Sequence, residues 1–82
     1  MISVEEVKRL IEEGLPEAEA VVLNEYNDGE HFAAEVTSTA FEGLSLIKQH
    51  RLVYKALGDA MHSRIHALQL KTYPPNRWPH AE

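Results

Sequence analysis

The 82-residue sequence contains no cysteine. No disulfide can brace the fold, and the chain has no thiolate to offer a metal or to use as a nucleophile. A soft metal centre held by this protein must therefore take its sulfur from a partner. Long apolar runs are also missing: nothing approaches the roughly 18 residues that a membrane-spanning helix requires. The opening MISVEEV has neither a basic stretch nor an apolar core, so we expect a soluble, cytoplasmic protein with no membrane association. Basic residues are few, eight Lys and Arg against thirteen Asp and Glu, for a formal charge of −5. That balance opposes nonspecific attraction to phosphate or to an anionic membrane over most of the surface. There is no Gly-x-Ser-x-Gly elbow and no phosphate-binding loop, and many of the carboxylates gather on the first predicted helix as solvated pairs, so the sequence points away from an enzyme. Repeats, low-complexity tracts and linkers are absent as well. A chain of this length is expected to form one domain over residues 1–82, with 73–82 as an extended tail, its few elements sharing a single core.

What is present reads as an ordered series of elements. Ser3 with Glu6 is a capping-box pair, and Val4, Val7, Leu10 and Ile11 recur at helical spacing until Gly14 and Pro16 end the helix. The run from Ala18 to Tyr26 predicts a strand leading into the turn Asn27-Asp28-Gly29. Beyond it, HFAAEVT alternates, with Phe32, Ala34 and Val36 on one face and His31, Ala33, Glu35 and Thr37 on the other, completing a hairpin. Gly43 breaks the chain before Ser45, a predicted cap for a long helix from Leu46 to Met61. Leu46, Val53, Leu57 and Ala60 or Met61 form its apolar stripe, and Lys48, Arg51 and Lys55 form a basic one. A third strand is predicted from Ile65 to Lys71, parallel to its neighbour because a helix connects them. Pro74, Pro75 and Pro79 should prevent further regular structure. The fold class is α/β (α+β): a two-layer sandwich with a three-stranded mixed sheet and helices on one face.

Among the five histidines, His66 is the first candidate ligand, because an imidazole set between Ile65 and Ala67 near a sheet end is held with one nitrogen free. The alternative is a structural histidine bonded to backbone. His31 stands just after the hairpin turn, either as an exposed strand residue or turned toward a partner. His50 lies on the seam of the long helix, His62 at a helix end and His80 in the tail. No His pair at a spacing of four and no Cys-His set occurs, so a self-sufficient metal site is not expected. Lys48, Arg51 and Lys55 suit either a solvated helix face or a nucleic-acid backbone.

The wording of two segments then matters more than their periodicity. Phe41-Glu42-Gly43, Ser45-Leu46, His50-Arg51, Val53-Tyr54, Ile65-His66-Ala67-Leu68, Lys71-Thr72-Tyr73, Pro75 and Trp78 closely resemble the BolA family, particularly its short bacterial members, and Asp28-Gly29-x-His31-Phe32 fits the same pattern. The resemblance covers roughly residues 2 to 78. It implies an α-β-β-α-α-β fold like the type II KH domain, with a short extra helix within Phe41 to Ser45. It also implies a partner, since BolA-like proteins bind monothiol glutaredoxins and share a [2Fe-2S] cluster with them in cluster trafficking or iron regulation. On that resemblance a glutaredoxin cysteine and glutathione supply thiolates and His66 supplies a nitrogen, while His31 replaces the second candidate ligand that many relatives carry in a longer hairpin loop. Imidazole in place of thiolate removes negative charge from a cluster and raises its potential. The implied glutaredoxin-facing surface is the helix from Leu46 to Met61 with the segment Lys71 to Trp78, and so includes Lys48, His50, Arg51, Lys55, Lys71, Tyr73 and Trp78. Some relatives are described as transcriptional regulators, which keeps DNA or RNA binding through Lys48, Arg51 and Lys55 as the alternative. Gln49 stands where relatives often have a basic residue and is expected to weaken that alternative, and the Glu42-Gly43-Leu44-Ser45 turn lacks the Gly-x-x-Gly clamp of KH domains. Whether the free chain forms a homodimer stays open.

Overall fold

Ser3 sets the first helix. In the computed structural model, which describes residues 2–28 and 30–81, its hydroxyl accepts from the Glu6 N–H at 3.0 Å and caps α1, Val4–Gly14. The reciprocal half of the capping box gives way to a stronger partner: the Glu6 carboxylate takes a bidentate pair of bonds from the Arg9 guanidinium, at 2.6 and 2.9 Å. Val7 and Ile11 are fully buried. Lys8 and Glu12 fasten α1 to the start of the sheet through the Ala20 carbonyl and N–H.

β1, Glu19–Asn24, and β2, His31–Thr37, form the predicted hairpin, antiparallel and in register from Glu19 opposite Thr37 to Asn24 opposite Phe32. Gly29 of the predicted turn lies outside the described residues; Asn27 takes the left-handed conformation at φ 55°. β3, Ala67–Tyr73, runs parallel to β2, pairing His31 with Ala67 and Thr37 with Tyr73, which gives a mixed sheet in the order β1-β2-β3. Ala20, Phe32, Ala34, Val36 and Thr72 are buried beside Val7, Ile11, Phe41, Val53 and Leu57. The helices therefore cover one face of the sheet. The alternation expected for β2 is observed, with Phe32, Ala34 and Val36 inward.

Four boundaries differ from expectation. The short extra helix is a 3-10 turn over Thr39–Phe41, capped by Ser38, and so begins before the Phe41 to Ser45 segment. The long helix stops early: α2, Leu46–Leu57, is capped by Ser45 as expected, but Gly58 at φ 56° ends it, and a single turn, α3, Ala60–Ser63, follows. Leu46 is 63% exposed and leaves the apolar stripe, which runs instead through Gln49, Val53 and Leu57. The third strand starts at Ala67, so Ile65 and His66 precede it. Pro75 opens a 3-10 turn, Pro75–Arg77, where its missing N–H costs nothing. Beyond that turn Trp78 folds back, 7% exposed, with its indole N–H donating to Glu19 at 2.9 Å.

Candidate functional site

The parallel pairing of β2 with β3 brings His31 and His66 together. Glu30 is the clamp: its carbonyl accepts from the N–H groups of both His66 and Ala67, each at 3.1 Å, so the chain enters β3 beside the residue that precedes β2. The two imidazoles meet edge to face with centroids 5.2 Å apart, and Tyr26 meets the other side of His31 at the same distance. His66 is exposed, whereas His31 is half-buried. His66 stands at the sheet end as expected, but it precedes β3 rather than lying within the strand, on the rim of an open depression of about 420 Å³ lined also by Glu30, Met61, His62, Ser63, Arg64 and Ile65. His62, set aside in the sequence as a helix-end residue, shares that rim.

Asp28 organises the hairpin tip. One carboxylate oxygen accepts from the N–H groups of Glu30 and His31 at 2.8 and 3.0 Å, and the other lies 2.6 Å from Nδ1 of His31. The backbone donors, and after them the imidazole, hold the Asp28 carboxyl at a pKa of about 2. Asp28, Glu30 and His31 place a potential ligand atom each within 4.8 Å of one another. In the sequence Asp28 stands as a turn residue and in the Asp28-Gly29-x-His31-Phe32 pattern, with no role assigned toward the His31 ring. The signal was the Asp-x-x-His spacing, which lets a side chain capping the loop also reach the ring three residues later.

The proposed partner surface divides. Lys48, Arg51 and Lys55 are exposed along α2 as the spacing required, flanked by Leu46 and Ile47, which are 63% and 66% exposed, and by Tyr54; His50 is half-buried. Gln49 does not interrupt a basic face, because it points inward at 4% exposure and donates to the Leu44 carbonyl at 2.9 Å, tying the preceding loop to α2. Lys71 is exposed, but Tyr73 is tied down through its hydroxyl to Glu35 at 3.1 Å, and Trp78 is buried rather than presented to a partner. Glu35 also meets Nε2 of His80 at 2.7 Å. His80 first, and Tyr73 after it, hold the Glu35 carboxyl below its usual range, while desolvation and Glu35 raise the Tyr73 phenol.

The small α+β sandwich thus sets an exposed imidazole against a half-buried one at one end of its sheet, in a chain without cysteine. The chain belongs to the BolA-like protein family, which its residues 12–77 match. A solved BolA protein homologue from Coxiella burnetii is 45% identical, with a TM-score of 0.81 over 93% of this chain and 95% of that one. An uncharacterized protein of Rickettsia prowazekii is 34% identical over 71 residues, 87% of this chain and 92% of its own. The DNA-binding transcriptional regulator BolA of Vibrio cholerae is 42% identical over 48 residues, 58% of this chain but 45% of the regulator. The chain thus spans less than half of that relative. Among the described residues no helix is long and apolar enough to cross a membrane.

Proposed function

We propose that this protein is a non-enzymatic partner of a monothiol glutaredoxin and shares a [2Fe-2S] cluster with it, His66 contributing an imidazole nitrogen and His31 standing as the second candidate ligand. The observation that carries this reading is the pairing of an exposed His66 with His31, ring centroids 5.2 Å apart, in a chain without cysteine. The donor chemistry fits. Imidazole is a known substitute for thiolate at one iron of a [2Fe-2S] centre, and the thiolates come from the glutaredoxin cysteine and glutathione. The open rim around His66 leaves room for a second protein to approach, and the exposed Leu46 and Ile47 beside Lys48, Arg51 and Lys55 offer an adjoining surface of mixed apolar and basic character on α2.

A second reading, a small DNA- or RNA-binding regulator, is favoured by the exposure of Lys48, Arg51 and Lys55 and by the name of the Vibrio cholerae relative. One experiment separates the two. A monothiol glutaredoxin is reconstituted anaerobically with iron, sulfide and glutathione, with and without this chain, and followed by visible absorption and circular dichroism. The cluster reading predicts a changed spectrum that is lost in His66→Ala and kept in Lys48→Ala. An unchanged spectrum with the wild-type chain, together with duplex binding that falls steeply with salt and is lost in Lys48→Ala, would favour the nucleic-acid reading instead.

A further inference from the structure

The hairpin tip holds His31 in a way the turn alone does not require. A short loop between antiparallel strands needs an acceptor for its free N–H groups, and one oxygen of Asp28 supplies it to both Glu30 and His31. Among the described residues the other oxygen makes no bond to the backbone of the turn. It is directed at Nδ1 of the His31 ring, at 2.6 Å.

We propose that Asp28 is a positioning residue for His31: its carboxylate holds the neutral imidazole as the Nδ1–H tautomer and leaves Nε2, the nitrogen carrying the lone pair, to face a metal. This assignment rests on the cluster-sharing function proposed above and specifies how the second imidazole is prepared for it. A carboxylate ionised at neutral pH can only accept, so the ring nitrogen opposite it must donate. Asp28 fits that description, because its carboxylate also accepts two backbone N–H bonds, which favour the charged form. Among the described residues the hydrogen bonds of the His31 ring use Nδ1 alone. Tyr26 and His66, each edge to face with it at 5.2 Å, restrict its rotation further. A ligating imidazole whose other N–H is bound to a carboxylate has a fixed tautomer and a more basic donor nitrogen.

Asp28→Asn isolates this role from the turn. Two backbone N–H groups compete for the single acceptor of the asparagine amide, so the carbonyl oxygen keeps its place and the NH2 group faces Nδ1 of His31. A ring nitrogen facing a donor must accept, and the ring proton moves to Nε2. The same inversion by Asp→Asn beside a histidine is known from serine proteases, the handling of whose catalytic ring it disables.

The test begins with the free chain. Long-range 1H–15N correlation of the histidine rings at a pH where they are neutral should show Nδ1–H at His31 in the wild type and Nε2–H in Asp28→Asn, with the amide spectrum otherwise preserved. A wild-type ring already protonated at Nε2 overturns the proposal without touching the role of His66. In complex with glutaredoxin, Asp28→Asn should weaken cluster retention about 10- to 100-fold, the usual effect of losing such a support. His31→Ala should do the same, and the double variant should be no worse than either. Equal retention in wild type and Asp28→Asn, or additive losses in the double variant, would reduce Asp28 to a turn residue. Absence of any shared cluster with the wild-type chain would defeat the proposed function itself.

Discussion

Adding one methyl group to Gly14 tests the placement of the helices against each other. An alanine normally improves a helix position held by glycine by about 0.5–1 kcal/mol. Gly14 is the last residue of α1, and a Cβ built on it would lie 2.6 Å from the Ala56 Cβ and 3.0 Å from its Cα on α2. Carbon atoms at optimal contact stand about 3.5–4.0 Å apart, so the helices must separate by roughly 1 Å, and one of the obstructing atoms is backbone. Overpacking of this kind costs about 1–3 kcal/mol. Taking the upper half of that range and subtracting the propensity gain, Gly14→Ala should destabilise by about 1–2 kcal/mol. For a domain of this size that is a fall in Tm of about 4–16 °C, measured by far-ultraviolet circular dichroism. Ala56→Gly removes the opposing methyl, so the double variant should be about 2 kcal/mol more stable than the sum of the single effects. An unchanged or higher Tm for Gly14→Ala would mean that α1 and α2 do not approach as closely as described.

Three further expectations follow from individual contacts. Thr72, 6% exposed, buries a hydroxyl without a hydrogen-bond partner, so the isosteric Thr72→Val should raise stability by about 0.5–1 kcal/mol, read from the urea midpoint. Trp78→Phe should lose about 1 kcal/mol with the indole bond to Glu19 while leaving the proposed glutaredoxin binding intact, because the ring is buried rather than presented. The Glu35 carboxyl is held below its ordinary value chiefly by His80, so its contribution to stability is present above the unfolded carboxylate range and is lost as the pH falls through the lowered folded value. His80→Ala should move the Glu35 carbon-13 titration upward and flatten that acid limb.

The elements most legible in the sequence were those fixed by local chemistry. Ser3 and Ser45 marked helix starts because a hydroxyl is the simplest acceptor for free N–H groups, and HFAAEVT declared β2 because period-two alternation admits one buried face. Position relative to the rest of the molecule was less legible. Gly14 reads as a stop signal, yet it is still helical, and its lack of a side chain serves the approach of α2. Gln49 looks like a gap in a basic face from its neighbours, but helical phase turns it inward to the carbonyl of Leu44, five residues earlier, in a loop whose path no local pattern announced. His66 could be placed near a sheet end from the sequence, but not outside the strand or beside His31. The strand begins two residues later than alternation suggests, because the Glu30 carbonyl collects two N–H groups and pins the entry to β3 beside the hairpin. The contact between His31 and His66 follows from parallel pairing across 35 residues, which no local spacing encodes.

The central claim is that an imidazole of this chain binds the shared cluster. It is tested most directly by labelling the histidines of this protein alone with nitrogen-15, forming the complex with unlabelled monothiol glutaredoxin and glutathione, reducing the cluster and recording pulsed electron paramagnetic resonance. We expect a nitrogen-15 hyperfine coupling of the size given by a directly bound ring, lost in His66→Ala. A reduced [2Fe-2S] signal in the intact complex with no nitrogen-15 coupling would mean that glutaredoxin and glutathione hold the cluster by themselves, and would contradict the assignment of His66.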